Sequence, residues 1–237
     1  MYDMSREPLS RDRVLRTALA VADEGGLDGL TIRSLAQRLG AKPMSLYHYV
    51  ANKDEILDGL VDLVFAEITL PEPTGDWRTE MTTRARSAIE VLGRHPWSIG
   101  LLESRTTPGP ATLRHHDATL AALRAGGFSI IQTAHAYAVL DAFVYGFAIQ
   151  LASLPFEGPD SAAEVAESIM ALMAAGEYPH LVEFAEQHAL QPGYDFADEF
   201  EFGLGLILDG LAQMLDGRLF PLAGKAATSR TSPAPTV

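Results

Sequence analysis

The stretch Leu30 to Lys53, LTIRSLAQRLGAKPMSLYHYVANK, decides the fold. Thr31 is placed to cap a helix, its hydroxyl accepting from a free first-turn N–H. Leu30 before it and Leu35 after it occupy hydrophobic-staple positions. Ile32, Leu35, Ala36 and Leu39 recur at helical spacing and give that helix one apolar side. Gly40 ends it where a left-handed residue is needed. Pro43 opens the next helix, where a missing N–H costs nothing. Lys42 cannot cap, but the proline pushes it toward the extended conformation of a cap residue. The second helix is read as residues 43–49. Leu46 and Val50 point inward, and Lys42, Met44, Ser45, Tyr47, His48 and Tyr49 lie on or around the outer side. A free-standing helix this short is marginal, so the rest of the chain must hold it from behind.

The outward set of hydroxyls, an imidazole and a cation suits phosphates and base edges. Helix, glycine turn and short polar helix form a helix-turn-helix arrangement, whose second helix enters the DNA major groove. The alternative is a solvated helical hairpin of an ordinary all-α protein.

Working outward, Ser10 can cap a first helix that runs to about Glu24, with Leu9 and Val14 at staple positions. Gly25 and Gly26 end it, and Arg11, Arg13 and Arg16 read as solvated. Residues 1–9 read as a mobile arm that lets Arg6 reach DNA. On the other side, Asn52 caps a longer helix and Glu55 closes a capping box. Lys53 sits at that N-terminus beside free N–H groups that favour an anion. The helix continues through Ile56, Leu57, Leu60, Leu63, Val64 and Ile68, a lever of about 25 Å. LPEPTG stops it and marks a domain boundary.

Beyond the boundary, helices are expected at 77–93, 97–103, from Thr107-Pro108 to Gly126-Gly127, at 130–154, 162–175 and 179–190, and from Asp195 as cap to about Asp216. Ser129 and Gln132 form a capping box for the long one. LPFEGPDSAAE reads as a loop, and the tail from Leu222 reads as disordered. Period-2 alternation is missing, so the fold class is all-α. The division is a head at residues 1–53, a connecting helix at 54–72, a body at 73–220 and a tail at 221–237. Nearly continuous apolar surfaces on the helix from Ile130 and on the final helix imply burial on two sides. They form a four-helix bundle with a second copy, or they are internal core.

The 237-residue chain has no cysteine and a net charge of −13. Residues 1–53 hold eight Lys/Arg against six Asp/Glu, +2, so the remaining ten against twenty-five carry −15. An acidic body behind a mildly basic head orients the approach to DNA. No secretory leader and no membrane span are expected, which suits a cytoplasmic protein. GxSxG, Walker-type loops, HExxH and CxxC are missing from the sequence, so no enzyme is expected. His115, His116, His135 and Asp141 are the best metal or acid–base candidates. Adjacent histidines point about 100° apart on a helix, so no metal or cofactor is expected.

LTIRSLAQRLGAKPMSLYHYVANKDEIL resembles the N-terminal domain of TetR-type transcriptional regulators, with Leu46-Tyr47 mid-helix and Asn52-Lys53 capping the next helix. GFSIIQTAHAYAVLDAFVYGFAIQ and DEFEFGLGLILDGLAQML are similar to the dimerisation helices of the tetracycline-repressor branch. The resemblance implies an all-α homodimer that binds a palindromic operator and releases it when a small hydrophobic effector binds. A ligand-independent regulator or activator is the alternative. Arg33, Lys42, Pro43, Met44, Ser45, Tyr47, His48, Tyr49 and Lys53 are expected at the DNA. Tetracycline-binding members carry a histidine where this chain has Leu101, and other drug-binding positions fall on Thr69, Arg84 and Ala142. Those departures argue against a magnesium–tetracycline chelate. The expected pocket is lined by Trp97, Leu101, His116, Thr119, Tyr137, Asp141, Tyr145 and Gln150, and Asp141, a carboxylate on an apolar helix, needs a partner there.

Overall fold

The computed structural model describes residues 8–102, 104–155, 158–171 and 177–218, and among these every regular element is helical. The head consists of α1 (Arg11–Gly29), α2 (Ile32–Leu39) and α3 (Pro43–Leu46), followed by α4 (Lys53–Glu67). The body holds α5 (Trp77–Arg94), a 3-10 corner (Pro96–Leu101), α6 (Pro110–Ala125), α7 (Ile130–Ser153), α8 (Gly158–Ala171), α9 (Pro179–Phe184) and α10 (Glu199–Leu215). The expected Arg6 arm and C-terminal tail lie outside the described residues.

Local chemistry sets most of the ends. Ser10 accepts from the Arg13 N–H, and Ser129 and Gln132 close the expected reciprocal box. Thr31 accepts from the Ser34 N–H at 3.0 Å, and the Ser34 hydroxyl accepts from the Thr31 N–H at 3.0 Å. Leu30 and Leu35 are both buried, as a staple requires. Gly40 takes the left-handed conformation at φ 63°. Its N–H donates to the Gln37 carbonyl and the Ala41 N–H to the Ala36 carbonyl, the paired bonds that close a helix with a tight reversal. Gly26, at φ 66°, breaks α1 as expected, but helical turns resume as far as Gly29.

Other ends differ from expectation. α3 closes at Leu46 rather than Tyr49, because the Tyr49 N–H donates three residues back, to Leu46, and tightens the chain into turns. The Asn52 side chain accepts from the Glu55 N–H at 2.8 Å, but Glu55 reaches past the cap to the Ala51 N–H at 2.7 Å. α6 starts at Pro110 rather than Thr107-Pro108, since Pro110 holds Gly109 extended. α8 already begins at Gly158, inside the segment expected to be a loop. α9 widens into a π turn at Ala185–Ala189, and Asp195 caps a 3-10 turn (Phe196–Asp198) ahead of α10.

Two cores result. In the head, Val14, Leu15 and Ala18 of α1, Leu35, Ala36 and Leu39 of α2, Leu46, Val50, and Ile56 and Leu60 of α4 form one cluster. In the body, Met81, Ala85, Ala88 and Leu92 of α5 pack with Leu123, Phe128, Leu140, Val144, Leu204 and Leu208. α4 serves both, because Val61, Val64 and Phe65, one to two turns past Ile56, belong to the body core. A Cβ on Gly203 would lie 2.7 Å from the Phe143 ring, so this glycine is what lets α10 approach α7. α7 is long and apolar enough to cross a bilayer by length and composition alone. Its buried face nevertheless carries Asp141 and packs within the body core.

Leu46, the one buried residue of α3, should dominate the stability of the head. Leu46→Ala is expected to cost about 2–5 kcal/mol in denaturant unfolding, whereas Met44→Ala, on the exposed side, should stay within about 0.5 kcal/mol.

Candidate nucleic-acid interface and effector site

The buried Leu46 turns the other side chains of its helix outward. Met44 is 73% exposed and Tyr47 45%. Arg33, Lys42, Pro43, His48 and Lys53 are exposed as well, and Ser45 and Tyr49 are half-buried. All nine expected residues therefore reach solvent. Lys53 is steadied from behind, its ammonium donating to the Leu27 carbonyl at 3.4 Å. Glu55 beside it is engaged by the Ala51 N–H and by Arg11, and the backbone bond holds its carboxyl below the usual range. Arg38, not singled out by sequence, is forked onto Glu24. Of the arginines on α1, Arg16 pairs with Asp12 at 2.6 Å, whereas Arg13 is buried and not solvated as expected.

The body interior is organised by a group that sequence reasoning only half identified. Asp141 is buried, and its partner is Arg84, whose Nη2 lies 2.5 Å from Oδ1. The Arg84 Nε–H donates to His115 Nε2 at 3.3 Å. His115 is fully buried, and burial, then the Arg84 charge, push its pKa down to about 3. It is therefore neutral, and because Nε2 accepts, the ring proton sits on Nδ1. That Nδ1 and Asp141 Oδ2 are buried without a hydrogen-bond partner among the described residues. Arg84 and His115 were absent from the expected pocket. The available signal was Arg84 on the same face of α5 as Met81, Ala85 and Ala88, a core position that demands an acidic partner.

Around this group the expected pocket residues divide. Tyr137 Oη hydrogen-bonds His116 Nδ1, Thr119 is buried with its hydroxyl on the His115 carbonyl at 2.8 Å, and Leu101 and Tyr145 pack against the core. The Phe65 ring lies 5.1 Å from His115 and 5.3 Å from His116. Trp97 packs against the same core, but its indole N–H turns to α1 and donates to Asp23 at 2.7 Å. Gln150 is exposed near the far end of α7. His116 also lines a 160 Å³ cavity with Val61, Leu102, Arg105, Thr112 and Leu113.

The same region grips α4. Asp54, Asp58 and Asp62 recur every four residues along it. Arg105 donates to Asp58 at 2.5 Å and to Asp54 at 3.2 Å. The Thr112 N–H and hydroxyl both donate to Asp62, at 2.8 and 3.0 Å. Movement at the start of α6 is thereby tied to the helix that carries the head.

An exposed one-turn reading helix on a small head, joined by α4 to a separate helical body, defines a helix-turn-helix DNA-binding regulator. Residues 14–60 match the family of bacterial regulatory proteins, tetR family, and residues 70–215 match the tetracyclin repressor-like C-terminal domain. The chain belongs to the TetR family. It is 32% identical over 234 residues to the HTH-type transcriptional repressor DrrR1 of Streptomyces coeruleorubidus, covering 92% of this chain and 85% of that one. It is 33% identical over 215 residues to the class A tetracycline repressor protein from transposon 1721 of Escherichia coli, covering 86% and 91%. The crystal structure of Streptomyces coelicolor ActR in complex with actinorhodin superposes with a TM-score of 0.73 at 31% identity, covering 87% of this chain and 97% of that one.

The buried group makes stability depend on pH. The folded pKa of His115 lies below the unfolded 6.5, so the unfolded chain alone takes up a proton as pH falls below 6.5. Stability should drop by about 2 kcal/mol between pH 6.5 and 5, and His115→Gln should flatten that slope in urea titrations. Asp141→Ala, which strands Arg84, should cost about 3–5 kcal/mol, and Arg84→Met combined with Asp141→Leu should regain most of it.

Proposed function

We propose that this chain is a homodimeric, cytoplasmic transcriptional repressor without catalytic activity, which binds a palindromic operator and releases it when a small hydrophobic effector binds the body. The observation that supports this most strongly is α3. Its buried Leu46 holds Met44, Tyr47 and His48 outward at the end of a helix that the body grips through Asp54, Asp58 and Asp62. In this reading residues 1–53 are the head, 54–72 the connector and 73–220 the body. Tyr47, Tyr49 and Lys53 position on phosphates. Met44, Ser45 and His48 lie nearest base edges, with Arg33, Lys42 and Pro43 alongside.

The dimer face is the outer side of α7 and α10. Phe202 is 67% and Leu206 59% exposed, and Val139 and Ile149 are exposed as well. A Cβ on Gly146, Gly205 or Gly210 would meet nothing within 4 Å inside the chain, which leaves room for another backbone. Apolar side chains and bare glycines together suit a second copy packed as a four-helix bundle. Two heads about 34 Å apart then read successive turns of DNA.

For the effector, the surroundings of Arg84, His115, His116, Tyr137 and Asp141 offer an apolar wall with buried hydrogen-bonding groups. Leu101 at the position of the magnesium-linked histidine argues against a tetracycline chelate. ActR, solved with actinorhodin, supports an aromatic effector. The effector must bind the non-operator state more tightly, or it shifts nothing. A ligand-independent regulator is the second reading, favoured by the Arg84–Asp141 pair occupying the middle of the body.

The test is a gel shift at fixed salt on DNA flanking the protein's own gene, with and without a panel of aromatic compounds. Binding to a palindrome, released by one compound, is the expected result. Specific binding released by none would leave the second reading standing, and no specific binding by folded protein would remove both. Lys53→Ala should weaken all sequences alike and lower the salt slope by about 1. Leu206→Glu should yield monomers by light scattering and abolish operator binding.

A further inference from the structure

The head is held to the body at a second place besides α4. The corner at Pro96–Leu101 packs against α1, α4, α5 and α7. Trp97 from this corner touches both hydrophobic cores, and Leu19 of α1 does the same from the other side. One carboxylate oxygen of the head, Asp23 Oδ1, receives two bonds from the body, from the Trp97 indole N–H at 2.7 Å and from His95 Nδ1 at 2.7 Å. His95 is buried, and its Nε2 lies 3.3 Å from Glu67 at the end of α4. Glu67 also accepts from Arg94 of α5 at 2.7 Å. Carboxylates only accept, so each of these contacts is a hydrogen bond where the His95 nitrogen facing it carries the proton.

Three bodies therefore meet at one imidazole: α1 through Asp23, α4 through Glu67, and the α5 corner that carries the ring. Asp23 lies one turn before the break at Gly26, beyond which the chain enters α2 and α3. The two bonds on Asp23 thus tie to the body the end of α1 that leads toward the reading helix. The hydrophobic contacts of Leu19 and Trp97 give cohesion but little direction, whereas two hydrogen bonds on one oxygen fix an orientation.

We propose that Asp23, His95 and Trp97 form a latch that sets the angle of the head on the body, and with it the spacing of the two half-sites that the dimer accepts. These are positioning residues; none touches DNA in this reading. The inference rests on the operator-binding reading above. On that reading, a broken latch leaves each head able to bind a half-site but lets the pair settle on more than one spacing.

The test uses the full-length dimer and duplexes made from its own flanking palindrome, unchanged and with one or two base pairs inserted or removed at the centre. Wild-type protein should prefer one spacing. Trp97→Phe, which keeps the ring but removes the N–H, and Asp23→Ala should each cut that preference by about tenfold, the order expected for losing a hydrogen bond to a charged group. Affinity for an isolated half-site should not change. Thermal melts check folding, and Trp97→Phe remains informative if Asp23→Ala melts early. Wild-type spacing preference in folded Trp97→Phe and Asp23→Ala overturns the latch while leaving the operator-binding reading intact. Equal loss on the half-site and on every spacing also overturns it, because that marks general damage to the head. Wild-type protein that binds none of the duplexes overturns both readings.

Discussion

A helix of four residues cannot hold itself together. Forming one turn fixes several backbone dihedrals for a single hydrogen bond, so the cost of nucleation is never recovered within α3. Its shape is imposed by what surrounds it. Gly40 reverses the chain, Pro43 presets the first dihedral, and Leu46 sinks between α1, α2 and α4. The rest of the head follows from this constraint. α1 exists to back Leu46, and the caps at Thr31 and Asn52 fix the entry and exit angles of the helices on either side. The outward residues of α3 are free to be chosen for DNA because one inward residue carries the packing.

The body meets a different constraint. Its centre holds an arginine, an aspartate and a neutral histidine where most cores hold aliphatic side chains. Such a group contributes little net stability compared with well-packed apolar residues, since desolvation offsets most of the attraction. Its geometric demand is strict, because Arg84 can satisfy Asp141 and His115 together only if α5, α6 and α7 keep their mutual register. An internal ion pair with a histidine beside it therefore holds the middle of the body.

What could be read from sequence was what is decided locally. Ser10, Thr31, Asn52 and Ser129 cap the helices assigned to them because a cap depends on two or three neighbouring residues. The outward face of α3 was legible for the same reason, with Leu46 as the single reference point. The end of α3 was not, since residues 47–49 keep helical spacing while their hydrogen bonds tighten. The spacing of Arg84 with Met81, Ala85 and Ala88 marks a core position, but no local pattern gives its partner on α7, fifty-seven residues away. The Trp97–Asp23 bond escapes the sequence for a related reason, since its two ends lie seventy-four residues apart.

Asp54, Asp58 and Asp62 show how the two halves of the molecule are joined. One helix carries Ile56 and Leu60 into the head core and Val61, Val64 and Phe65 into the body core, so it cannot bend between them without opening one. The remaining freedom is to tilt or turn as a rod. Its acidic stripe is held by Arg105 and by the first turn of α6, and Phe65 packs on His115 and His116 of that same α6. A displacement of α6 by anything bound beside His116 must therefore be passed to α4 through both a polar and an aromatic contact. Packed interiors shift between discrete arrangements rather than deforming smoothly. The head would then move as a unit, by an amount set at the far end of a rod about 22 Å long.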